Sequence, residues 1–271
     1  MNLCISNIAW ASEDEPMAAE IVRESGLTRV EVAPTKIWAE PLRATADDLE
    51  RYREFWSQRG IEIVALQALL FGRPDLTVFG SPEARAETLD YLRGIVRLGS
   101  KLGARVLVFG SPKNRRVNGR PPQEVDDIAV SFFGAAGDAA RAEGMILCIE
   151  PNPREYGCDF VTTSAEGLEL VRRVNSAGFG LHLDAAAMTL SGESLEPAFT
   201  NAAGSICHFH ASEPNLGALG KGGVDHETLA SLLSQIEYSE CVSVEMRHDP
   251  NAETAAELRR VLTYLKETYV G

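Results

Sequence analysis

The chain has 271 residues, of which 45% are hydrophobic, and this length suits one α/β domain with a sizeable buried core. Its net charge of −13, from 39 acidic and 26 basic residues, argues against a nucleic-acid partner, because affinity for a phosphate backbone comes mainly from clustered lysine and arginine. We therefore expect a single domain over residues 1–271 that binds neither DNA nor RNA.

The cysteine pattern and the lengths of the apolar segments indicate where in the cell the protein is located. Five cysteines are odd in number and lack CxxC spacing, which favours reduced thiols. No stretch approaches the ~18 to 20 apolar residues that a membrane span requires, and the first residues lack the pattern of a signal peptide. We expect a soluble, cytoplasmic protein with no membrane partner.

Strand-like and helix-like segments alternate along the whole chain. The eight strand-like runs are Leu3–Ile8, Arg29–Ala33, Glu62–Leu66, Arg105–Gly110, Ile146–Glu150, Gly180–Asp184, Ile206–His210 and Val242–Glu245. The helix-like segments are Ala46–Gln58, Ala84–Leu102, Glu124–Glu143, Ser164–Val174, His226–Leu233 and Thr254–Thr268. This alternation is typical of a closed (β/α)8 TIM barrel or of an open doubly wound sheet. No GxGxxG or GxxxxGK[ST] motif follows a strand, so the sequence gives no support for dinucleotide or P-loop binding.

The last four strand-like runs each end on a residue that can bind a metal: Glu150, Asp184, His210 and Glu245. Successive members are 34, 26 and 35 residues apart, about the length of a strand, a helix and their connections. A barrel gathers all its strand ends at one mouth, whereas an open sheet forms its site at one switch point. The spacing therefore favours the TIM barrel, with the four side chains close together.

The residue types indicate a divalent ion. Packed carboxylates raise one another's pKa and repel, and a bound dication offsets most of that charge. Three carboxylates and one imidazole suit Mn²⁺ or Mg²⁺, with Co²⁺ or Zn²⁺ as alternatives, and we expect Mn²⁺. The competing interpretation is that the acidic residues cap helices or pair with arginine.

Four motifs at these strand ends resemble a known group. CIEPNP, LHLDAAAM, HFHASEPN with GKGGVDHETL, and VSVEMR are similar to the xylose-isomerase-like barrel superfamily, nearest its sugar-phosphate isomerase/epimerase and ketose 3-epimerase branch. The resemblance implies that Glu150, Asp184, His210 and Glu245 are the metal ligands, and that Glu150 and Glu245 also transfer protons. The reaction implied is epimerisation of a keto-sugar, in which one glutamate removes the proton next to a metal-polarised carbonyl and the other returns a proton on the opposite face.

Three positions depart from the ketose 3-epimerases. Those enzymes usually have Glu six residues after the first ligand, His three after the aspartate and Arg six after the histidine, where this chain has Tyr156, Ala187 and Leu216. A site short of these polar contacts favours a modified, bulkier or less hydroxylated keto-sugar, or a cyclitol, over a free hexulose.

Further side chains near the strand ends are candidates for binding the substrate. The set that we predict comprises Trp38, Gln67, Tyr156, His182, Lys221 and Arg247. Glu31, His248 and the basic run SPKNRR are weaker candidates at the same mouth. His182 and His208 lie one inward layer below the strand ends, where a histidine can either fill the core or orient a ligand.

Three other functions fit the sequence less well. The same proton removal followed by loss of a hydroxyl would give a lyase or dehydratase. An abasic-site endonuclease would need more histidine ligands than five histidines allow, and a basic surface. A non-catalytic barrel that binds a sugar or a partner protein is the third. The resemblance also allows a homo-oligomer.

Overall fold

Eight parallel strands close into a barrel in the order β1 to β8, and β8 pairs with β1. The computed structural model describes residues 1–270. The strands are β1 (Asn2–Ser6), β2 (Arg29–Val32), β3 (Glu62–Leu66), β4 (Val106–Phe109), β5 (Ile146–Ile149), β6 (Phe179–Asp184), β7 (Ile206–Ser212) and β8 (Cys241–Glu245). The TIM barrel predicted from the alternating pattern is confirmed. The single domain over residues 1–271 stays a prediction, and Gly271 lies outside the described residues.

Helices surround the barrel. Within residues 1–270 they are α1 (Glu15–Glu24), α2 (Pro34–Ile37), α3 (Ala46–Ser57), α4 (Pro82–Leu102), α5 (Pro122–Ala142), α6 (Ser164–Val174), α7 (Ala185–Leu190), α8 (Leu195–Ala202), α9 (His226–Gln235) and α10 (Thr254–Tyr269). The six predicted helices match α3, α4, α5, α6, α9 and α10 to within two residues, while α1, α2, α7 and α8 were not predicted. In this part of the chain, no helix combines the length and apolar character needed to cross a bilayer.

Local signals explain the helix boundaries. Helix α3 begins after Thr45, whose hydroxyl accepts the Asp48 N–H at 3.2 Å while the Asp48 carboxylate accepts the Thr45 N–H at 2.9 Å. This reciprocal pair satisfies two N–H groups that the first helical turn leaves free. Helix α4 ends at Gly103, whose φ of 92° is a left-handed conformation that glycine adopts without a steric penalty. The chain then turns at once into β4.

Two irregularities in the barrel lie beside residues that matter for the site. The pairing of β2 with β3 shifts register between Val30 and Glu31. The pairing of β6 with β7 shifts between Leu181 and His182, after which His182 pairs with His208 and Asp184 with His210. Irregularities in strand pairing, such as β-bulges, change the direction of a side chain and are common next to active sites.

Helix α5 packs closely against the start of β6 at Gly137. At this position the contact leaves no space for a side chain larger than a hydrogen atom. A Cβ there would lie 2.9 Å from Phe179 Cβ and 3.2 Å from the backbone of Gly178. We predict that Gly137→Ala lowers the free energy of unfolding by ~1 to 3 kcal/mol, the usual cost of overpacking. Gly134→Ala in the same helix meets no atom within 4 Å and should raise it by ~0.5 to 1 kcal/mol through helix propensity. Urea unfolding of both variants measures the difference, and equal effects would contradict this packing.

Candidate active site

Four side chains converge at the C-terminal end of the barrel. Asp184, His210 and Glu245 lie on β6, β7 and β8, and Glu150 follows β5 directly. One ligand atom from each of the four lies within 4.8 Å of the others. His210 Nδ1 is 3.3 Å from Glu245 Oε2, 3.5 Å from Glu150 Oε1 and 3.9 Å from Asp184 Oδ2. The barrel therefore brings together the four residues expected to bind the metal.

The other ring nitrogen of His210 faces a fourth acidic residue, Glu31. Nε2 of His210 lies 3.2 and 3.1 Å from the two Glu31 oxygens, and Glu31 is fully buried. The Ser243 hydroxyl donates to Glu31 Oε2 at 2.7 Å, and His208 Nε2 lies 3.3 Å from Oε1. A proton on Nε2, donated to Glu31, leaves the Nδ1 lone pair directed at the cluster.

The sequence placed Glu31 only among the weaker candidates for the mouth. In the fold it lies beneath His210, on the side away from the three clustered carboxylates. The available signal was a carboxylate at the end of a strand, which does not reveal a partner 179 residues away. Glu31 is thus a functional candidate whose position only the closed barrel shows.

The charges at the site shift the pKa of several groups. Burial and the neighbouring charges of Glu150 and Glu245 raise the pKa of Asp184 to about 7. Burial also raises the pKa of Glu245. Burial alone would lower the pKa of His210, but the charges of Glu31 and Glu245 outweigh it and raise that pKa well above its ordinary value. Without a metal, protons on these groups compensate the crowded negative charge.

The donor set fits a divalent ion. His210 Nδ1 is buried and has no hydrogen-bond partner, although it faces three carboxylate oxygens. Asp184 is held in place because its Oδ1 accepts the Ala187 N–H at 2.6 Å and its Oδ2 accepts the Ser212 hydroxyl at 2.5 Å. An ion would replace the protons that the cluster otherwise needs, and oxygen ligands with one imidazole suit Mn²⁺ or Mg²⁺.

A cavity of about 560 Å³ opens above the cluster. Glu150, Asp184 and Glu245 line it. Three of the residues predicted to bind substrate also line it: Gln67, Tyr156 and Arg247. So do Ala187 and Leu216, the two apolar departures from the ketose 3-epimerase pattern. The wall of the cavity consequently contains both carboxylates and apolar side chains.

The other three predicted substrate-binding residues are not among those that line this cavity. Trp38 packs edge-on against Tyr52, with 5.4 Å between ring centroids, because α2 and α3 form a separate aromatic cluster there. Lys221 pairs with Glu257 at 3.0 Å and lines a separate cavity of about 380 Å³, together with His248. Both side chains belong to loops, whose direction the strand pattern does not determine.

His182 lies below the cluster and not in the cavity wall. Its ring is fully buried, 4.2 Å from the His210 ring, and its Nδ1 is 3.6 Å from Glu150 Oε1. Burial lowers the pKa of His182 well below its ordinary value, so the ring is neutral. It contacts two of the candidate ligands from beneath, which suits a residue that positions them.

The basic run after β4 contributes to the site in two ways. Lys113 and Asn114 line the cavity. The Arg115 guanidinium is fully buried and donates from Nη2 to the Glu150 carbonyl oxygen at 2.6 Å. This bond fixes the backbone of Glu150, so part of the run is structural while Lys113 places a cation at the cavity.

Comparison with known proteins identifies the family. The family model described as xylose isomerase-like TIM barrel matches residues 19–267. The chain therefore belongs to this family, and the resemblance seen in the sequence is confirmed at that level.

Several relatives carry epimerase names. An L-ribulose 3-epimerase of Mesorhizobium japonicum is 30% identical over 117 residues, which are 43% of this chain but only 39% of the relative. The structure of D-psicose 3-epimerase from Clostridium cellulolyticum H10 with D-tagatose superposes with a TM-score of 0.84 at 16% identity, covering 99% of both chains. An IOLI protein with a zinc atom superposes with a TM-score of 0.75 at 22% identity, covering 100% of this chain and 97% of the other. These structural matches show a shared fold.

Metal affinity should rise with pH, since the raised pKa of Asp184 means that an ion must displace a proton. Below about pH 7 Asp184 is mostly protonated, so Mn²⁺ should bind weakly at pH 6 and progressively more tightly towards pH 8. Titration calorimetry at pH 6 in two buffers of different ionisation enthalpy should show proton release on binding. A dissociation constant that does not change over this range would contradict the crowded-carboxylate description.

We predict that Glu31→Gln weakens Mn²⁺ binding by ~10- to 100-fold, because a neutral amide holds the His210 ring less firmly and makes Nδ1 a poorer ligand. Glu213→Gln is the matched control: Glu213 is also buried and lies 3.4 Å from a histidine, His226, outside the cluster. Both variants should lose stability, but only Glu31→Gln should lose metal affinity by calorimetry. Equal loss in the two variants would mean a general structural effect.

Proposed function

We propose that this protein is a metal-dependent keto-sugar isomerase or epimerase that uses Glu150 and Glu245 both as metal ligands and as proton-transfer groups, with Mn²⁺ as the ion. The observation that carries the proposal is that both glutamates line the same cavity and belong to the same four-residue cluster. Strands β6 and β7 separate them around the barrel, so the two carboxylates approach a bound substrate from different directions.

Each side chain has a defined task in this reaction. When bound, the divalent ion polarises the substrate carbonyl and makes the neighbouring C–H more acidic. One of the two glutamates removes that proton as general base, and the other returns a proton from the opposite face as general acid. Asp184 and His210 would hold the ion together with the two glutamates, and Glu31 keeps the His210 ring oriented.

The cavity wall supports a substrate that is less hydroxylated than a free hexulose. At two positions of the wall, Ala187 and Leu216 offer no side-chain hydrogen bond, while the polar residues elsewhere in the lining include Gln67, Tyr156, Arg247, Lys113 and Asn114. A buried hydroxyl without a partner would cost binding energy, so a modified keto-sugar is favoured. The names of the relatives support the reaction class. The cytoplasmic location and a homo-oligomeric state stay predictions.

Glu150→Gln and Glu245→Gln should each abolish epimerisation, because each change removes the proton-transfer group on one face of the substrate. Loss of one general acid or base costs roughly 10²- to 10⁴-fold, and each change also removes a charged metal ligand. The assay incubates the Mn²⁺-loaded protein with ketoses, keto-glycosides and keto-cyclitols in D₂O and detects deuterium uptake by NMR. Circular dichroism tests whether the fold persists.

Two outcomes would argue for a different function. A Glu245→Gln variant that binds Mn²⁺ and keeps the wild-type rate would refute the two-base mechanism. A conjugated product with loss of water, in place of an exchanged epimer, would assign the protein as a dehydratase. Lys221→Gln is the control that should leave the rate unchanged, because Lys221 is not among the residues that line the main cavity and its side chain pairs with Glu257.

A further inference from the structure

We propose that the substrate carries a second ring, and that this ring packs against Phe71 at the outer edge of the cavity. The inference rests on the proposed function for the keto-sugar bound near the cluster, and it adds the chemical class of the substituent: an aryl or glycosyl group attached to that sugar. Phe71 is not part of the metal cluster and has no role in the proton transfers.

Phe71 is an unusual side chain for the surface it occupies. It is 71% exposed, more than Met1, Leu42 or Val270, the other exposed large hydrophobic residues of the described chain. Unlike a scattered surface residue, it lines the same cavity as Glu150. An exposed aromatic ring at the edge of a polar site provides a flat apolar surface for a ligand, and it gains free energy when a ring covers it.

The loop that carries Phe71 is held rigidly. The Phe71 N–H donates to the Ala68 carbonyl at 3.0 Å, and the Arg73 N–H donates to the Leu70 carbonyl at 3.1 Å. From beneath, the Asn114 amide donates to the carbonyls of Arg73 and Leu76, each at 2.7 Å. These bonds preorganise the backbone that presents Phe71, so little backbone conformational entropy is lost when a ring packs on its side chain.

The space around Phe71 also exceeds what one sugar needs. Its loop, at Phe71, Gly72 and Arg73, lies between the main cavity and a second groove of about 360 Å³. Leu70 and Pro74, on the same loop, continue the apolar wall of the main cavity. A sugar bound at the carboxylates would leave this apolar end uncovered, whereas a second ring attached to the sugar would fill it.

The test compares two ligands that share one sugar: methyl 3-keto-β-D-glucopyranoside and its 4-nitrophenyl counterpart. Calorimetry with the Mn²⁺-loaded protein should give about tenfold tighter binding of the aryl compound, from one aromatic contact. Phe71→Ala should remove this difference, and Phe71→Trp should retain it. Leu42→Ala is the control, since Leu42 borders only the second groove and should leave the difference unchanged.

Several results would overturn the inference. These are equal affinities in the wild type, an aryl preference that survives in Phe71→Ala, or loss of the preference in Leu42→Ala to the same extent. A concentration-dependent dimer in sedimentation that Phe71→Ala abolishes would assign Phe71 to an interface between two copies instead.

The same experiment separates this inference from the proposed function. Deuterium uptake in D₂O with both keto-glucosides, but no aryl preference, would leave the epimerase intact and refute the role of Phe71. An aryl preference that depends on Phe71, without any deuterium uptake, would support the second-ring site while refuting the two-base reaction.

Discussion

The site depends on one imidazole placed between the buried carboxylate of Glu31 and the three clustered carboxylates. His210 faces Glu31 with Nε2 and the cluster with Nδ1, so the ring is fixed from both sides. The charge of His210 lowers the pKa of Glu31 well below its ordinary value, although burial opposes this, so Glu31 stays ionised. Removing one partner of a buried charge pair leaves the other uncompensated, at a cost of about 3 to 5 kcal/mol. The attraction between His210 and the carboxylates on its two sides therefore stabilises the arrangement.

The closed barrel makes this arrangement geometrically possible. Residues that alternate along parallel strands point to the interior in layers, and the layer below the mouth holds His182 and His208. Glu31 reaches the same interior from β2, beside the register shift after Val30. The two register shifts thus occur where acidic and imidazole side chains face one another, and irregularities such as β-bulges are common near active sites.

The sequence predicted the parts of the molecule that depend on periodicity. Eight apolar runs at regular intervals predict eight strands, and closure follows because four metal-capable residues end consecutive strands. Helix α7 was not predicted because it begins directly after Asp184, the last residue of β6, whose carboxylate also caps the helix through the Ala187 N–H. Asp184 therefore ends a strand, caps a helix and belongs to the cluster. The alternating sequence pattern indicated the strand but not the helix.

The positions of loop side chains were harder to predict from the sequence than those of strand side chains. Gln67 and Glu245 lie at or next to a strand end, and the barrel carries both to the cavity. Trp38 and Lys221 lie several residues further on, where packing against Tyr52 and pairing with Glu257 decide their direction. Those partners are distant in sequence or belong to a different helix, so no local pattern reveals them.

The loop after β7 shows how the fold fixes a cavity wall at a local cost. Asn215 and Leu216 have φ values of 61° and 59°, in the left-handed region that is unfavourable for residues other than glycine. Their conformations are held from two sides: the Asn215 N–H donates to the Tyr156 hydroxyl at 2.9 Å, and the Arg247 N–H donates to the Leu216 carbonyl at 2.9 Å.

Strain of this kind costs about 1 to 3 kcal/mol per residue and persists only where surrounding contacts determine the backbone. Here the contacts come from the loop after β5, which begins with Glu150, and from the loop after β8, which follows Glu245 directly. The strained segment consequently ties these two loops together and sets Leu216 in the wall of the cavity. The apolar character of that wall is therefore built into the same framework that positions the carboxylates.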